Sequence, residues 1–98
     1  MLDKHPKIIV TNVIATSSVG FMINIEKFAE LNSFVDIDVN YPVGAHCKSS
    51  DIVGLVTVYR SGKMISVGAK TIEQSRRNIQ LITNLLIKQR KSIELKLK

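Results

Sequence analysis

With 98 residues, 45% hydrophobic and 22% charged, the chain has room for one modest core and is too apolar to stay disordered. Fourteen Lys and Arg against eight Asp and Glu leave a charge of +6, a field that favours nucleic acid or another polyanion, or simply a solvated, lysine-rich helix end. A single cysteine excludes an internal disulfide, two histidines without zinc-ligand spacing argue against a metal site, and no stretch approaches the roughly 20 apolar residues needed to cross a bilayer.

In chain order, Ile8 to Ala15 follows Pro6 as a short β-branched run and predicts the first strand; Ser17, Ser18 and Gly20 predict a flexible connection. Asn24 is placed to cap a short helix, with Ile25, Phe28 and Ala29 at helical spacing, that ends near Asn32. Phe34 to Tyr41 alternates Val35, Ile37 and Val39 with Asp36, Asp38 and Asn40, the pattern of a strand with one wet face, until Pro42 and Gly44 interrupt it. Residues 44–50 carry little pattern, because Lys48, Ser49 and Ser50 supply no buried face. Ile52 to Tyr59 predicts a strand, Ser61 and Gly62 a tight turn, and Lys63 to Val67 the returning strand. Thr71 and Gln74 have the form of a capping box, and Glu73 suits the positive end of the helix that follows. The stripe of that helix is Ile72, Ser75, Ile79, Ile82 and Leu86. Beyond Lys88 two readings stand: Ile93, Leu95 and Leu97 alternate as in a strand, and Ile93 with Leu97 also continue the helix.

The strands are apolar on both sides. Val53, Leu55, Thr57 and Tyr59 oppose Ile52, Val56 and Val58, and Ile65 and Val67 oppose Met64 and Ser66. Two helices fit on one face of such a sheet. Either a tail, a crossover or a split of the helices covers the other face, or that face stays open for a partner.

The segment Ser61-Gly62-Lys63-Met64-Ile65-Ser66-Val67-Gly68-Ala69-Lys70, followed by Thr71, Glu73, Gln74, Ser75 and Arg76, resembles the signature hairpin and second helix of a TATA-box-binding protein repeat. Pro6 to Thr16 resembles that family's first strand and Ile23 to Ala29 its first helix, so the likeness runs from about Pro6 to Leu86 and is thin between Asn32 and Ser50. It implies an α+β fold: a curved antiparallel sheet of about five strands with two helices on one face, half of a saddle. One domain over residues 1–98 is expected, with its core in 6–91 and with 92–98 as a basic tail or the start of a further element.

The same resemblance implies that the open face lies on the minor groove of AT-rich DNA in transcription initiation, with apolar side chains on base edges and aromatic wedges between base steps. By position, Asn12 matches the asparagine that reads the centre of the site, and Ile14, Thr16, Thr57, Ile65 and Val67 match groove-facing residues. Tyr59 and Val43 fall at the two wedge positions; Ser61, Lys63 and Lys70 match polar or basic positions near phosphates. The chain departs from the family in the small side chain of Val43, in Val67 where a threonine is usual, and in Ser49, Ser50 and Asp51 where flanking arginines are expected. Groove binding depends on unstacking and phosphate neutralisation, and both are reduced here.

No second copy of the SGKM-like segment occurs, so a complete saddle requires a homodimer joined through the first strands, or a further repeat. Other transcription-factor proteins are expected partners, membranes are not, and the expected location is intracellular: prokaryotic cytoplasm or eukaryotic nucleus. Two further functions remain open: a protein-interaction or dimerisation module of the same fold, and a nucleic-acid-positioning domain such as that appended to some ribonucleases H. Lys63, Tyr59, His46 and Cys47 lack a companion acid, base or nucleophile at suggestive spacing, so neither an enzyme nor a cofactor is expected.

Overall fold

A computed structural model describes residues 13–37 and 44–97, with side chains to residue 91. The elements run β1 (Val13–Ser18), α1 (Ile25–Leu31), β2 (Val35–Ile37), β3 (Gly44–Cys47), β4 (Leu55–Tyr59), β5 (Lys63–Ala69) and α2 (Ile72–Leu97). The five strands form one sheet in the order β1-β5-β4-β3-β2, antiparallel at every step. This is the expected α+β architecture.

Both helices lie on the same face, α2 over β5, β1 and β4 and α1 over β2 and β3. Each strand sends alternate side chains to opposite faces. Toward the helices point Ala45, Cys47, Val56, Val58, Met64 and Ser66, all fully buried against Ile25 and Phe28 of α1 and Ile82 and Leu86 of α2. Asn78 is, with Ser75, a buried polar member of α2. Its side-chain nitrogen donates to the Val53 carbonyl at 2.8 Å and its oxygen accepts from the Val53 N–H at 3.1 Å, so it satisfies a segment that has left the sheet.

The local signals act as their chemistry predicts. The Asn24 side chain accepts from the Lys27 N–H at 3.0 Å and caps α1, which ends at Leu31. Thr71 Oγ1 accepts from the Gln74 N–H at 3.0 Å, while Gln74 Oε1 reaches back to the N–H of Lys70 rather than of Thr71. On β5, Val67 and Gly68 together face Ile14 alone, a bulge that Gly68 accommodates at a φ of 84°.

Several boundaries differ from expectation. Ser17 and Ser18 belong to β1, paired with Met64 and Lys63, instead of forming a connection. Ile52 to Gly54 precede β4 as a bend, and β5 extends to Ala69. Residues 44–47 are a strand although their pattern is weak, because small Ala45 and Cys47 fit beneath α1. Ile72 is 70% exposed and drops out of the buried stripe, whereas Ser75, Ile82 and Leu86 stay in it. Residues 92–97 continue α2, which decides between the two readings of the chain beyond Lys88. The expected strand residues 8–12 and 38–41 lie outside the described residues. Among the described residues no helix is long and apolar enough to cross a membrane.

Candidate nucleic-acid interface

On the face away from the helices, one row of side chains crosses all five strands: Thr16, Ile65, Thr57, His46 and Asp36, each paired in register with the next. Beside it, Leu55 pairs with Val67, and Ile14, 64% exposed, stands opposite the Gly68 bulge. On the other side Tyr59 pairs with Gly44, and Lys63 with Ser18. Leu55, Thr57, Ile65 and Val67 are only half-buried, and no described element packs over them. Such a surface excludes water poorly by itself and gains most from a partner that lies flat against it.

The structure thus brings Ile14, Thr16, Thr57, Tyr59, Lys63, Ile65 and Val67 to one face. Ser61 sits in the β4–β5 turn and Lys70 just past the far end of β5, both exposed, so these two flank the face rather than line it. Asn12 and Val43 lie outside the described residues.

Tyr59 has an unexpected setting. A Cβ on Gly44 would stand 3.3 Å from both Cδ1 and Cε1 of the Tyr59 ring and 3.0 Å from Thr57 Cγ2. The ring therefore lies across the glycine of the neighbouring strand, which explains why an aromatic on an open face is half-buried. Sequence reasoning placed Leu55 on this face without naming it a contact, and missed three other members: Gly44, Asp36 and His46. Alternation from Thr57 locates Leu55; the other three need the β2–β3–β4 register.

His46 Nδ1 lies 3.2 Å from Thr57 Oγ1, a hydrogen bond across the open face. The positive charge at the hairpin is divided. Arg60 is turned to α1, where its guanidinium forks onto both carboxylate oxygens of Glu26, at 2.9 Å for Nη1 to Oε2 and closer for Nη2 to Oε1. That hydrogen bond holds the Glu26 carboxyl below its usual range and raises Arg60. Lys63 is left on the sheet side. Cys47 points under α1, and burial pushes its thiol up to about 12, so it is a packing residue rather than a nucleophile.

An open antiparallel sheet with both helices on one face and a continuous, partly apolar row on the other defines a half-saddle domain. Residues 7–89 match the family model described as transcription factor TFIID, or TATA-binding protein. The chain belongs to the TATA-binding protein family, a family of transcription factors and not of enzymes. It is 36% identical over 78 residues to the TATA-box-binding protein of Cenarchaeum symbiosum, covering 76% of this chain and 42% of that one. To its counterpart in Methanothermobacter thermautotrophicus it is 29% identical over 77 residues, covering 79% and 42%. The solved structure of Methanococcus jannaschii TBP superposes with a TM-score of 0.80 at 22% identity, over 88% of this chain and 49% of that one, a likeness of fold. The chain thus spans less than half the length of the curated relatives it matches.

Proposed function

We propose that the open sheet face binds AT-rich duplex DNA through the minor groove, as a transcription factor, and that two copies pair through β1 to make a full saddle. The carrying observation is the uncovered row Thr16, Ile65, Thr57, His46 and Asp36 with Leu55, Val67 and Ile14 beside it. Aliphatic side chains of this kind press on base edges, threonine hydroxyls meet the groove acceptors, and Lys63 and Lys70 lie near the phosphates. Relatives named TATA-box-binding protein support the reading, as does the charge of +6. An intracellular location follows from it.

For pairing, the support is the edge. β1 ends the sheet on one side, and next to it Ile72, Arg76 and Ile79 of α2 form a groove with Ala15 and Ser17. A second β1 set antiparallel there would extend the ladder and cover the exposed Ile72.

Fluorescence titration with AT-rich and GC-rich duplexes at two salt concentrations tests DNA binding, with an RNA/DNA hybrid as a third arm. Preference for the AT-rich duplex, weakening with salt, is expected. Equal and negligible binding to both duplexes overturns the proposal, and preference for the hybrid points to a positioning domain. Light scattering with and without duplex reads the pairing; a monomer in both conditions removes it.

A second reading, an interaction module that leaves DNA alone, is favoured by two features. Asp36 places a carboxylate on the face, and Gly44 sets no side chain opposite Tyr59, both poor for a groove that is anionic and must be unstacked. Under that reading the parent binds neither duplex, and Ile65→Asp abolishes capture of a protein partner by this face.

A further inference from the structure

We propose that His46 is a nucleic-acid contact on the open face and that its protonation tightens binding; this rests on the DNA-binding reading above. The positive charge assigned to the face lies at the two ends of β5, on Lys63 and Lys70, and the β2–β3 end has none inside the row. There, among the described residues, the charged and titratable groups around His46 are Asp36, its partner on β2, and Lys48, just past the end of β3; β4 contributes uncharged Thr57 and, one pair on, Tyr59. Both helices lie on the opposite face and contribute nothing to this surface.

The hydrogen bond to Thr57 orients the ring through Nδ1, and the exposed side chain leaves Nε2 to a ligand. In the neutral ring one nitrogen carries a hydrogen: either Nδ1–H donates to Thr57 Oγ1 and Nε2 is an acceptor, or the Thr57 hydroxyl donates to Nδ1 and Nε2–H points outward without charge. In the imidazolium both nitrogens donate: Nδ1–H to Thr57 Oγ1, and Nε2–H outward, where a phosphate oxygen is the acceptor that matches its charge. Histidine is the side chain whose charge changes between about pH 5 and 8. Asp36 and Lys48 offset one another, so protonation takes the β2–β3 end from neutral to net positive and adds a phosphate-neutralising charge in the same step.

The test is an equilibrium titration of a labelled AT-rich duplex from pH 8 to 5.5 at constant ionic strength, with the parent, His46→Gln and His46→Lys. The parent is expected to tighten by about tenfold on acidification, the order of one added phosphate contact, while H46Q tightens far less. His5 is present in all three proteins, so the difference reads His46 alone. H46K carries a fixed charge and is expected to bind at pH 8 as the parent does at pH 5.5. Parallel pH profiles for parent and H46Q, or an H46K protein no tighter than the parent at pH 8, overturn the assignment and leave DNA binding standing. A parent that is folded by circular dichroism and binds at no pH overturns both.

Discussion

Two rows of side chains run one residue apart across the same five strands. Ala15, Ser66, Val56, Cys47 and Val35 lie beneath the helices; Thr16, Ile65, Thr57, His46 and Asp36 face outward. The covered row is built of small residues, which lets Phe28, Ile82 and Leu86 close down onto the strands. The outward row interleaves an aliphatic side chain with hydroxyls, an imidazole and a carboxylate, so it tolerates water until a partner arrives. Alternation assigns residues to a face; the helices decide which face becomes a core.

The sharpest test of that division separates stability from binding. Phe28→Ala removes a fully buried ring between α1 and the sheet and is expected to cost about 3–5 kcal/mol in a urea melt. Ile65→Ala on the open face is expected to cost about 1 kcal/mol or less and to weaken DNA binding by about tenfold, because a branched aliphatic side chain no longer presses on the base edges. A large stability loss from Ile65→Ala with unchanged DNA affinity would erase the distinction between the rows.

Next in size is a polar device on the covered side, Asn78. Asn78→Leu keeps the γ-branched shape but leaves the N–H and C=O of Val53 without the partners found at 3.1 and 2.8 Å, an expected loss of about 2–3 kcal/mol by thermal denaturation. If Asn78→Leu is neutral, water satisfies Val53 and the bend before β4 is looser than the hydrogen bonds imply.

A smaller effect depends on pH. Burial raises the Cys47 thiol from 9.0 to about 12, so the fold favours the protonated form. The stability this contributes is whole below pH 9.0 and is lost as pH rises toward the folded value. Between pH 8 and 10 the parent should lose about 1 kcal/mol more than Cys47→Ala, measured by urea melts at both pH values. Equal losses would mean the thiol reaches solvent in the folded protein.

Much of the covered side was legible in the chain. The β4–β5 hairpin announced itself through Ser61 and Gly62, where Gly62 takes a φ of 91° and its N–H donates to the Tyr59 carbonyl at 2.9 Å. The Asn24 and Thr71 caps, and the Ile82 and Leu86 stripe, were equally plain, because each is a local rule. What escaped was non-local. β3 hides because Ala45 and Cys47 are too small to look like a buried strand and gain their burial from α1. Ile72 matches the helical period yet stands in the first turn of α2 beside the β1 edge, 70% exposed. Asn78 reads as a surface residue until Val53 is known to bend away from the ladder. The open face was legible as a doubly apolar pattern, but not its membership: His46 enters only through its register with Thr57 and Asp36.

The Glu26–Arg60 pair ties α1 to the hairpin and is expected to matter least. Its hydrogen bonds lower the Glu26 carboxyl, so its contribution is present above the ordinary glutamate value of 4.5 and is lost as pH falls through the folded value. Both side chains are in water, where ion pairs are screened and pay the entropy of holding two long chains together. Glu26→Gln should therefore change the melting temperature slightly at neutral pH, less in high salt, and less still as pH falls through the lowered folded value of Glu26. A different outcome is instructive: if E26Q also alters DNA affinity, Arg60 has been released from α1 toward the sheet face. The fork onto Glu26 would then regulate how much positive charge the hairpin presents, and the two faces of the sheet would be coupled through its turn.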